Sequence, residues 1–110
     1  MDQPPVMEFW DMFDYLHDNE AFGVNHSVEQ GVYAVNFNHI AQVASEHRQS
    51  MLLNTDIKNL LKAGRMRKFV GIKTVRSVVN SQFNNSLAIG SALKRPEVIK
   101  CWVFQENSES

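Results

Sequence analysis

"IKNLLKAGRMRKFVGIKTVRS", residues 57–77, is the stretch whose reading decides the fold. Ile57, Leu60 and Leu61 recur at helical spacing and Gly64 offers a stop. "KFVGI" then has the β-branched and aromatic content of a strand. Seven lysines or arginines and no acid lie in these 21 residues, although the whole chain has a formal charge of only -1. On the outside of the helix, Lys58, Lys62 and Arg65 fall at i, i+4 and i+7, a basic stripe opposite the apolar face.

Working toward the N-terminus, Asn54 and Thr55 are cap candidates for this helix, because a side-chain oxygen can accept from an orphan N–H, and Asp56 suits the positive end of its dipole. Before them comes a connection, "QSMLLNTD", and before that a second helix. Asn36 or Asn38 can cap that helix, with Ile40, Val43, Ala44 and His47 on one face. "VYAVNF" reads as a short strand, preceded by the turn-rich "NEAFGVNHSVEQG". The first helix follows Pro4 and Pro5, whose missing N–H groups cost nothing at a helix entrance. Val6, Phe9, Phe13 and Leu16, flanked by Trp10 and Met12, form its apolar face, and Glu8, Asp11, Asp14 and Asp18 lie largely opposite.

Toward the C-terminus, "VIKCWVF" alternates so that Ile99, Cys101 and Val103 oppose Val98, Lys100, Trp102 and Phe104. Between the two strands, "KTVRSVVNSQFNN" fits both periods: Val75, Val78, Val79 and Phe83 match a helical face, while the β-branched content favours a strand, which is the expectation taken here. "NSQFNNS" and "IGSALKRP" read as a long hairpin connection. Residues 1–5 are expected to be a linker or disordered, 6–104 one domain, and 105–110 a frayed tail.

A chain of 110 residues, 44% hydrophobic and 21% charged, accommodates one modest core. The single Cys101 leaves no internal disulfide, and no stretch approaches the roughly 20 apolar residues of a membrane span. The opening "MDQPPVMEFW" lacks the basic start and apolar run of a secretory signal, so the expected location is cytoplasmic. Charge is divided sharply: residues 1–56 hold nine acids and one base, whereas residues 57–100 hold ten bases and one acid. That asymmetry points to a polyanionic partner.

Helix, strand, helix, helix and a two-stranded hairpin is the order of a winged helix, so the expected class is α+β with the order α-β-α-α-β-β. In that arrangement the third helix, expected at 55–65, enters the major groove. Lys58, Lys62 and Arg65 would reach phosphates or guanine edges, and Asn59 could pair with adenine. Arg67, Lys68, Lys73, Arg76, Lys94 and Arg95 would meet the backbone from the wing. Neutralising about six phosphates would cost on the order of a thousandfold in affinity between 50 and 200 mM salt.

"NFNHIAQVASEHR", "IKNLLKAGRMRKFVGIKTVRS" and "VIKCWVF" together resemble the C-terminal winged-helix domain of phage and plasmid primase-helicases, over about residues 6–104. The resemblance implies binding of replication-origin DNA, or another nucleic acid, with primase and helicase chemistry supplied by separate domains. The chain lacks the GxxxxGK[ST] phosphate loop that such chemistry needs.

Other side chains have plainer roles. The acids of the first helix lack the DxDxDG pattern of a calcium loop and read as a solvated face or a contact to a parent domain. His39 and His47 lack HExxH or CxxC partners, so no zinc site is expected. Cys101 in an apolar strand reads as a buried thiol. Trp10, Phe13, Trp102 and Phe104 could stack on bases, but core packing is the commoner use. No catalytic residue, cofactor, membrane or small-molecule substrate is expected. The rival possibilities are a protein-interaction module of a replication complex and a small transcription regulator that dimerises on a palindrome.

Overall fold

A computed structural model describes residues 3–49, 53–88, 90 and 92–107. The chain forms α1 (Pro4–Asn19), β1 (Val32–Val35), α2 (Phe37–Glu46), α3 (Thr55–Lys62), β2 (Arg67–Arg76), α4 (Val78–Ser86) and β3 (Val98–Glu106). This is an α+β domain whose three strands make one antiparallel sheet in the order β1-β3-β2. No helix among the described residues is long and apolar enough to cross a membrane.

The core lies between one face of the sheet and α1, α2 and α3. All six residues expected on the inner side of α1 are buried there: Val6, Phe9, Trp10, Met12, Phe13 and Leu16. Trp10 is the hub. Its ring meets Phe9 and Phe104 edge-on with centroids 5.0 Å apart, and Phe13 at 5.4 Å. Each such pair contributes roughly 0.5–1.5 kcal/mol beyond area burial. Asn36 and Asn54 cap α2 and α3 by accepting from the N–H groups of His39 and Ile57.

At the far end of α1, His17 Nδ1 accepts from Val24 N–H at 3.0 Å and Asn25 N–H at 3.3 Å, which folds the following loop back on the helix. Gly23 permits that approach. Its φ is +75°, and a Cβ at this position would stand 2.4 Å from His17 Cε1.

Several expectations are corrected. Pro4 and Pro5 belong to the first turn of α1, not to a linker. α3 ends at Lys62, so Arg65 stands in the bend between α3 and β2 and is not part of the helical stripe. "KTVRSVVNSQFNN" is divided: strand runs to Arg76, and then Ser77 accepts from Asn80 N–H at 3.0 Å and starts α4. The cap and the Val79–Phe83 spacing outweigh the β-branched content. The connection between β2 and β3 therefore contains a helix. At the C-terminal end, Gln105 and Glu106 continue β3, and Glu106 N–H donates to Gly31 O at 2.7 Å. Residues 108–110 of the expected tail, the middle of "QSMLLNTD" and parts of "IGSALKRP" lie outside the described residues.

Candidate nucleic-acid interface

The two long side chains of α3 lean toward the sheet. Lys58 Nζ lies 5.0 Å above the Phe37 ring, and Lys62 Nζ lies 5.0 Å from the Trp102 ring and 5.8 Å from Phe69. Phe37, Phe69 and Trp102 are half-buried and pack on the edge of the core, with Trp102 within 5.0 Å of Phe37 and 5.1 Å of Phe69 between ring centroids. The ammonium groups sit over the electron-rich ring faces, which hold them at about 0.5–1 kcal/mol each where water still reaches them. Both stems thus cover apolar surface while the charges stay at the rim.

Lys100 belongs to the same edge. Strand alternation places Lys100 on the face of Trp102, with Thr74 opposite it on β2. A groove of about 550 Å³ runs between the start of α2, α3 and the hairpin; Asn36, Asn38, Lys58, Ile72, Lys100 and Trp102 are among its walls. Asn36 Nδ2 donates to Lys100 O at 3.2 Å and ties β3 to the start of α2. Asn59 is exposed between Lys58 and Lys62 in sequence. Lys58 and Lys100, from two distant segments, therefore line one concave, amide-containing surface, and Lys62 lies over the ring of Trp102, one of its walls.

The remaining expected contacts divide among other places. Arg67 is corrected outright: it is 9% exposed and makes a bidentate pair with Asp14, at 3.0 and 3.1 Å. Its guanidinium also stacks on Tyr33, 3.9 Å from the ring, and Trp10, at 4.8 Å. It fastens β2 to α1 and has no face left for a phosphate.

Lys68 and Lys73 pair in register with Gln105 and Cys101, on the opposite side of the sheet from α3. The cause is a bulge: Phe69 faces Phe104, but Gly71 faces Val103, so one extra residue reverses which side chains look outward. Arg76 closes β2 opposite Val98, so register sets it on the face of Lys100 and Trp102, and at the strand end it also borders the outer groove that Lys73 lines. Arg95 stacks on Phe83 at 3.8 Å, and Asn84 clamps its backbone by accepting from Arg95 N–H and donating to Arg95 O. Lys94, beside it, is exposed in the segment after α4. Of the ten expected residues, Lys58, Asn59 and Lys62 keep the expected setting on α3. Lys100 was missed, although the alternation of "VIKCWVF" sets it beside Trp102 on one face.

A second polar cluster lies where the loop after α1 meets the start of α4. His26 is 1% exposed; its Nδ1 is 2.5 Å from Ser77 Oγ and its Nε2 is 3.0 Å from His39 Nδ1. A neutral imidazole has one N–H, so it donates to one of these partners and accepts from the other. Burial, with His39 and Arg95 nearby, pushes the His26 pKa down to about 3, and burial also lowers that of His39. Val78 N–H donates to His26 O at 3.2 Å, so ring and backbone together hold the start of α4. Nothing in the local sequence around His26 marks it, because both ring partners are distant in the chain.

Comparison with protein-family models, curated proteins and solved structures finds no match for this chain.

Proposed function

We propose that the domain is a winged-helix module that binds duplex DNA, with α3 as the helix presented to the major groove and the β2–β3 hairpin as the wing. The observation that carries this is the meeting of Lys58 and Lys100 in one groove, with Lys62 over the ring of Trp102, which walls it, and Asn59 exposed on the same helix. Lysines held at a rim by aromatic faces present point charges to phosphates, and an asparagine amide matches the donor and acceptor of adenine. The resemblance of "IKNLLKAGRMRKFVGIKTVRS" and "VIKCWVF" to primase-helicase terminal domains extends the proposal to origin DNA of a mobile element, with catalysis in other parts of the replication machinery.

Three phosphate contacts, not six, set the expected salt dependence. At a slope of about 0.9 per contact, affinity falls about fortyfold between 50 and 200 mM salt. Fluorescence anisotropy with a labelled duplex measures this directly. The combined Lys58→Ala, Lys62→Ala and Lys100→Ala variant should lose nearly all of that dependence while keeping its fold. A wild-type affinity that stays flat across the salt range, or an unaltered slope in the variant, removes the proposal.

A further inference from the structure

The side of the sheet turned away from α1, α2 and α3 carries a groove of about 420 Å³, within the range typical of ligand sites. Val32, Ala34 and Val103 form its floor, from β1 and β3. Its rims are apolar and open to water: Val28 is 79% exposed on the loop before β1, and Val70 is 46% exposed at the β2 bulge. Exposed valines on both banks of an apolar trough are surface that a partner would cover.

Charge gives the trough a direction. Lys73 and Arg76 stand along the β2 bank, and Glu29 stands on the loop side. Both cations are exposed, and neither takes part in an ion pair among the described residues. The bulge that removes Lys73 from the α3 side delivers it here. A phosphate backbone would satisfy the two cations but leave the valines wet. An extended chain with aliphatic side chains next to carboxylates would cover both.

We propose that this groove docks an extended acidic peptide, its aliphatic side chains against Val28, Val32 and Val70 and its carboxylates against Lys73 and Arg76, away from Glu29. The surface is separate from the α3 edge, so the domain can hold a protein segment on one side of the sheet while the other is occupied.

The test uses a short fluorescein-labelled peptide alternating aspartate and leucine, with aspartate–serine and lysine–leucine versions as comparisons. Anisotropy should show saturable binding of the aspartate–leucine peptide alone. The double variant Lys73→Glu, Arg76→Glu changes only exposed positions and should weaken binding at least about tenfold; Val70→Ser, a milder change, should weaken it by a smaller factor. Lys58→Ala with Lys62→Ala should leave it unaltered, which separates this site from the proposed DNA surface. Absence of saturation up to about 1 mM, equal binding of the aspartate–serine peptide, or indifference to the Lys73 and Arg76 reversal overturns the proposal. Displacement of the peptide by short duplex DNA, lost in the Lys58 and Lys62 variant, also overturns it, because both ligands would then share the α3 edge.

Discussion

Mild acid should loosen the domain through His26. In the unfolded chain this imidazole takes up a proton as pH falls through about 6.5. In the folded chain it stays neutral down to about 3, because it is buried beside Ser77 and His39 with Arg95 nearby. Between those values the unfolded state binds the extra proton, so stability rises with pH and is lost on acidification. From pH 7 to pH 5 the linkage amounts to about 2 kcal/mol, and His39, also shifted down, adds with the same sign. Stopping at pH 5 keeps most carboxylates ionised and out of the comparison. Urea unfolding followed by tryptophan fluorescence at pH 7, 6 and 5 gives the slope. His26→Gln, which retains a donor and an acceptor, should unfold with a slope shallower by up to about 1.4 kcal/mol per pH unit. Parallel pH profiles for wild type and variant would refute the linkage. So would an NMR titration in which the native His26 ring protonates near 6.5, a readout that does not depend on the variant.

Four further outcomes follow from packing. Asp14→Ala should cost about 3 kcal/mol in a denaturant titration although Asp14 is half exposed, because it strands the buried Arg67 guanidinium with only Glu106, 4.0 Å away. Arg67→Met should cost less than half as much, since the buried charge leaves with the side chain. Gly23→Ala should lower stability by about 2 kcal/mol, because an L-residue is strained at φ +75° and its Cβ meets His17; a thermal melt measures the loss. Cys101, buried and pushed up to about 12, should resist a thiol reagent at neutral pH until denaturant exposes it; rapid labelling of the native domain would contradict its burial.

What the sequence made legible was the set of elements with one strong period and a chemical cap. α1 announces itself through two prolines and a continuous apolar face, and Asn36 and Asn54 mark the starts of α2 and α3. α4 was hidden because Val75, Val78 and Val79 satisfy both periods, and only the bond from Asn80 N–H to Ser77 Oγ settles where strand gives way to helix. The basic cluster was legible as composition but not as a surface. A side-chain period of two, counted from Phe69, puts Lys73 on the α3 side; the bulge between Phe69 and Gly71 sends it to the other. Arg67 looked like its neighbours because its partner, Asp14, lies 53 positions earlier. Local pattern cannot report a contact made across the whole chain.

The sheet order β1-β3-β2 has a consequence for synthesis. β1 and β2 never pair with each other, and both depend on the strand that is translated after them. As the nascent chain leaves the ribosome, its helices can begin to form early. Phe104, on which Trp10 packs, and every inter-strand bond must await residues 98–106. Until then the aromatic side of α1 and two single strands are uncovered, which makes this interval the one most open to aggregation and to chaperone capture.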